Sequence, residues 1–118
     1  DDDLVRMSAA AGAARDGAVT VAVRDAITTA GVCRAGDVLG VVQGDFTVVG
    51  DDLVAVATEV LERLLSGGGE LVTVVTGAGA PAGLGEAVSE QLRRHHRDVE
   101  VVVLEGGQPR YPLLLGVE

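Results

Sequence analysis

Two nearly continuous apolar runs, Leu71-Val72-Thr73-Val74-Val75 and Val99 to Leu104, constrain this chain more than any other feature. A strand with one wet face alternates apolar and polar residues, whereas a run without alternation needs cover on both faces. Between the two runs, Leu84, Val88, Leu92 and His95 recur at helical spacing and are expected inward. Glu86, Glu90, Arg93, Arg94 and Arg97 fall on the outward side. Pro81 suits the first position of that helix, where no N–H partner is lost. Strand, helix and strand in this order predict a right-handed parallel crossover from Glu70 to Glu105.

The remaining segments extend that unit. Gly50-Asp51-Asp52 opens the clearest helix, with Leu53, Val56, Ala57, Val60, Leu61 and Leu64 on one stripe. Glu59 and Arg63 stand four apart on its polar side, and Ser66-Gly67-Gly68-Gly69 stops it. Val38 to Val42 and Phe46 to Val49 read as strands around Gln43-Gly44-Asp45, and a Gly-Asp loop predicts a type II′ turn. Ahead of them, Asp1 to Asp3 cap a helix carrying Leu4, Met7, Ala10, Ala11 and Ala14 to about Arg15. Asp16-Gly17 ends it, Ala18 to Asp25 alternates as a strand, and Ile27 to Asp37 is expected as a loop or short helix holding Cys33. The fold class is α/β: one domain over residues 1–118, a mixed β-sheet with a βαβ crossover, a β-hairpin and three helices.

Composition removes several functions. Hydrophobic residues make up 47% of the 118 but aromatics only 2%, so Val, Leu and Ala must build the core. A net charge of −9 gives no basic footprint for nucleic acid or an anionic membrane surface. All nine cations are arginine, which excludes a Schiff-base lysine and a Walker lysine. The single Cys33 cannot form an internal disulfide and fits a reducing, cytoplasmic setting. The acidic start without Met is unlike a signal peptide and points to a fragment of a longer protein.

Gly77-Ala78-Gly79-Ala80-Pro81-Ala82 follows a strand, precedes a helix and matches the dinucleotide fingerprint, with Glu105 ending the next strand. Gly77 and Gly79 are therefore candidate anion-binding residues. Arg24 is a separate candidate, because charge at the end of a buried strand often faces a cleft, with an Arg24–Asp25 ion pair as the default. Pro81 removes one N–H donor, and a plain βα turn is the default reading. His95 and His96 point about 100° apart on a helix, so they do not face one ion. Asp51 and Asp52 read as helix caps beside the hairpin turn. No nucleophile elbow surrounds Ser8, Ser66 or Ser89, and no catalytic or metal site is assigned. The remaining candidate is Gly106-Gly107-Gln108-Pro109-Arg110-Tyr111-Pro112, a proline-stiffened elbow before the final apolar run Leu113 to Val117. Its residues Gln108, Arg110 and Tyr111 are candidate partner contacts, because arginine and tyrosine often anchor interfaces. The alternative is a structural connection.

Thr20-Val21-Ala22-Val23-Arg24-Asp25, Gly36-Asp37-Val38-Leu39-Gly40-Val41-Val42, Gly50-Asp51-Asp52-Leu53 and the elbow through Val117-Glu118 together resemble the C-terminal domain of DAK2-domain proteins. These are the bacterial fatty acid kinase A proteins of the dihydroxyacetone kinase superfamily. The resemblance covers essentially the whole chain. It implies a DegV-like lobe that docks a separate DegV-like fatty-acid-binding protein. An N-terminal kinase domain of the same protein would bind ATP and magnesium and phosphorylate the fatty acid for phospholipid synthesis. Many members are labelled glycerone kinase by analogy. No catalytic residue or cofactor is carried over to this segment. The other readings are a domain binding a phosphorylated or carboxylated, glycerone-like metabolite, and a self-association domain forming a homo-oligomer.

Overall fold

The computed structural model describes residues 15–118. The helix expected over residues 1–15 lies outside them except for Arg15, which opens a strand. The strands are β1 (Arg15–Val21), β2 (Ala26–Thr28), β3 (Gly31–Cys33), β4 (Val38–Val42), β5 (Asp45–Gly50), β6 (Leu71–Thr76), β7 (Glu100–Glu105) and β8 (Leu113–Val117). Helix α1 (Leu53–Leu65) lies between β5 and β6, and helix α2 (Leu84–Arg93) between β6 and β7. Six strands form one sheet in the order β5-β4-β1-β8-β6-β7, and β2 and β3 form a separate small hairpin. Only β6 and β7 pair in parallel, as the two apolar runs and their intervening helix require; the other sheet neighbours are antiparallel.

Both helices pack on one face of the sheet. Val56, Ala57, Val60, Leu61 and Leu64 of α1, and Leu84, Val88 and Leu92 of α2, meet Val19, Val72, Val74, Leu113, Leu115 and Val117. With so few aromatics, this core closes by bringing the backbones near one another. At Gly40 an added Cβ would lie 2.6 Å from Val60 Cγ2 and 2.8 Å from Val48 Cβ, so glycine lets α1 settle on β4. Asp52 caps α1 by accepting a hydrogen bond from the Ala55 N–H at 2.8 Å. The Arg15 guanidinium donates to the carbonyls of Leu64 and Gly68, tying the helix exit to β1.

Among the described residues the opposite sheet face has a small apolar cluster, Ala18, Val75 and Leu114, with Val41 and Tyr111 packed against it. At its margin, Cys33 of the β2–β3 hairpin is buried against Ala22, Leu39 and Val49. No helix packs there among the described residues.

Several local expectations change. Asp16 and Gly17 belong to β1, which ends at Val21 rather than Asp25, because its register is set by β4 and β8 on either side. The segment expected as a loop or short helix is the β2–β3 hairpin, paired Ala26↔Cys33, Ile27↔Val32 and Thr28↔Gly31. In the β4–β5 hairpin the turn residues are Gln43 and Gly44, at φ 49 and 92. Two central residues at positive φ make a type I′ turn, not type II′. His95 lies exposed beyond α2 instead of facing inward, and α2 starts at Leu84 behind a left-handed Gly83, not at Pro81.

Candidate functional site

The site arises from a problem of connection. Strand β7 is an edge, whereas β8 is inserted two places away between β6 and β1, so the chain between them must cross the end of β6. Residues 106–112 make that crossing and are stitched to the turn after β6. The Gly106 and Gly107 N–H groups donate to Thr76 O at 2.8 and 3.1 Å. In return, Gly77 N–H donates to Pro112 O at 2.9 Å and Ala78 N–H to Gln108 O at 3.0 Å. An added Cβ at Gly77 would fall within 3.0 Å of the Tyr111 and Gln108 carbonyl oxygens, so this position is closed to other residues.

Gln108 is the peg of the crossing. It is buried, and its Nε2 donates to Val75 O at 3.3 Å and to Tyr111 O at 3.0 Å. Its side chain is therefore unavailable to a partner, which corrects its expected role as a contact. Arg110 differs in kind. It stands at φ 73, with the Tyr111 N–H bonded back to Pro109 O at 2.9 Å, a three-residue turn centred on a non-glycine residue. Thr20 Oγ1 donates to Arg110 O at 3.2 Å and helps hold that conformation. The Arg110 side chain is exposed, while the half-buried Tyr111 lies on the Ala18–Val75–Leu114 cluster.

This arrangement opens a groove of about 590 Å³ between the elbow, the end of β1 and the β2–β3 hairpin. Its lining includes Val21, Val23, Ile27, Leu39, Phe46 and Tyr111, with Arg24 and Arg110 among them. A smaller depression of about 220 Å³ shares Phe46 and Tyr111, so the chain's two aromatics stand between the two hollows. Phe46 reaches this face through a β-bulge. Val41 pairs with Phe46 and Gly40 with Val48, leaving Thr47 as the extra residue. Without the bulge, Phe46 would share the helix-facing side with Val48 two residues on.

The structure thus brings Arg24, Arg110 and Tyr111 to one groove but does not bring Arg24 to Gly77 and Gly79. The turn at 77–82 borders a separate hollow of about 460 Å³ that also contains Glu86 and Glu105. Its Gly77 and Ala78 N–H groups are bonded to the elbow, and Ala80 N–H to Gly77 O at 3.1 Å. Gly77 consequently has no N–H for an anion, two carboxylates oppose one, and the geometry is that of a βα turn. Gly79 is exposed in that turn. His96 Nε2 lies 2.5 Å from Glu62 Oε1, joining the end of α2 to α1, while His95 is exposed, so the two diverge. Among the described residues no group of three or more His, Cys, Asp or Glu side chains could hold a metal ion. No helix among them is long and apolar enough to cross a membrane.

The elbow was legible as a candidate from its Gly and Pro spacing. The hairpin's contribution was not: three-residue strands are too short to show a period, and only the apolar Val23, Ile27 and Val32 hinted at it.

Sequence matches to known proteins extend over the whole chain. An uncharacterized protein of Staphylococcus haemolyticus is 29% identical over 118 residues, which is 100% of this chain and 21% of the relative. An uncharacterized protein of Staphylococcus aureus is 26% identical over the same 118 residues, 22% of its length. The chain therefore spans about a fifth of the curated relatives it matches. A family model for the C-terminal domain of fatty acid kinase A-like proteins matches residues 1–118, and the chain belongs to that family.

Proposed function

We propose that this domain is the docking lobe of a fatty-acid-kinase-like protein. It engages a DegV-type fatty-acid-binding protein so that a separate ATP- and magnesium-dependent domain of the same protein can phosphorylate the bound acid. Family membership supports the kinase context. The observation that carries the docking role is the meeting of Arg110, Tyr111 and Arg24 on one exposed, largely apolar groove. Phosphoryl transfer depends on positioning and on neutralising charge, and this lobe contributes the positioning.

The test uses the full-length protein and a DegV-type fatty-acid-binding protein. Wild type is expected to bind, and Arg110→Glu to weaken binding at least about tenfold, as loss of an interface arginine does. Undiminished binding by Arg110→Glu would remove the elbow from the contact. The competing metabolite reading predicts that inorganic phosphate or glycerone phosphate raises Tm without any protein partner. With Gly77 N–H committed to Pro112 O, no such rise is expected from the 77–82 turn, and a rise abolished by Arg24→Ala would place the metabolite in the groove instead.

A further inference from the structure

The docking face has an anchor that the elbow does not supply. On the β2–β3 hairpin the residues alternate between two sides. Cys33 is buried against Ala22 and Leu39, fixing one side to the body of the domain. The other side carries the cross-strand pair Ile27↔Val32, exposed by 86% and 70%, with Val23 exposed by 91% nearby in sequence. Large aliphatic side chains gain nothing from this exposure within the described fold, and their clustering marks a contact surface.

The hairpin is held as a rigid support. Asp25 Oδ1 accepts from Ala35 N–H at 2.9 Å and Asp37 Oδ2 from Arg34 N–H at 2.8 Å, closing its base. Those bonds hold the two local carboxylates against the backbone. Arg24, Arg34 and Arg110 are exposed and make no ion pair or side-chain hydrogen bond among the described residues. Arg15, Arg63, Arg93 and Arg94 are engaged within the fold; Arg97 is also exposed without an ion pair among the described residues, but it lines a separate hollow beside α2. An apolar knob accompanied by three such guanidinium groups, on a chain of net charge −9, is complementary to an apolar pocket edged by acids.

We propose that Ile27 and Val32 form the hydrophobic anchor of the docking face. The anchor inserts into an apolar pocket of a protein partner whose rim carboxylates meet Arg24, Arg34 and Arg110. This rests on the docking reading above and names the chemistry of the partner's surface. A protein is favoured over a bilayer because a strongly acidic chain is repelled by anionic lipid.

The experiment measures affinity of the full-length protein for a DegV-type fatty-acid-binding protein at low and high salt. Wild type, Ile27→Ser, Val32→Ser, the double variant and Arg24→Glu/Arg34→Glu are compared. Both aliphatic positions are largely exposed, so Tm is expected to stay at the wild-type value. If the double variant fails to fold, the single variants decide the result. The anchor predicts a loss of about tenfold or more for each serine variant at either salt concentration. The arginine reversals should lose affinity chiefly at low salt. Wild-type binding with unchanged affinity in the serine variants would overturn the anchor and leave the docking reading standing. Absence of wild-type binding would overturn both. Flotation with phosphatidylglycerol vesicles that is lost in the serine variants, or a sedimenting dimer abolished by them, would reassign the knob to lipid or to a second copy and overturn the proposal.

Discussion

At the scale of single residues, Arg110 and Gln108 divide the elbow's work. Gln108 holds the crossing from within through its bonds to Val75 O and Tyr111 O. Gln108→Ala should therefore destabilise the protein by about 1–3 kcal/mol, since it strands buried carbonyls and empties a packed site. Urea unfolding would measure this. Arg110 holds a positive φ that costs a non-glycine residue about 1 kcal/mol or more. Arg110→Gly should relieve that cost and raise Tm while weakening partner binding. A fall in both would show that the turn depends on the arginine side chain. The sequence identified these residues as notable but could not separate their roles. Burial of Gln108 and the left-handed turn at Arg110 both depend on strands more than thirty residues away in sequence.

Among the elements, legibility followed the length of the pattern. Helix α1 offers more than three turns of apolar stripe and a capping aspartate. Val56, Ala57, Val60, Leu61 and Leu64 of that stripe are buried, while Leu53 is half-buried and Leu65, outside the stripe, is buried with them. Asp52→Ala should cost about 1 kcal/mol of stability in chemical denaturation, because only the cap is lost. The β6–α2–β7 crossover was equally readable as a parallel unit. The cover on both faces expected of its two apolar runs holds for β6 but not for β7, an edge strand with Val102 and Val103 half-buried and Leu104 44% exposed. The β2–β3 hairpin was not, and the bulge at Thr47 left no sequence signal because pairing with β4 creates it. Gly40→Val should destabilise the sheet–helix contact by about 1–3 kcal/mol through overpacking against Val60 and Val56. Cys33 tests the hairpin's attachment. Buried to 1% exposure, it should react slowly with a thiol reagent in the native protein and quickly in denaturant. Fast native reaction would mean that the hairpin opens readily from the sheet margin.

For the molecule as a whole, the two sheet faces are packed differently. One is sealed by both helices and forms the main core; the other holds a small cluster, two aromatics and a groove edged by arginines. The proposed partner sits on this second face, from the hairpin to the elbow. Amide hydrogen exchange of the full-length protein, with and without a DegV-type fatty-acid-binding protein, tests this placement most directly. Binding is expected to slow exchange over residues 20–34 and 106–112, with Gly77 and Ala78 following the elbow to which their N–H groups are bonded, and to leave residues 84–93 of α2 unchanged. Protection confined to residues 77–82 or to the β7 edge at 100–105, with the hairpin and elbow unaffected, would contradict the placement.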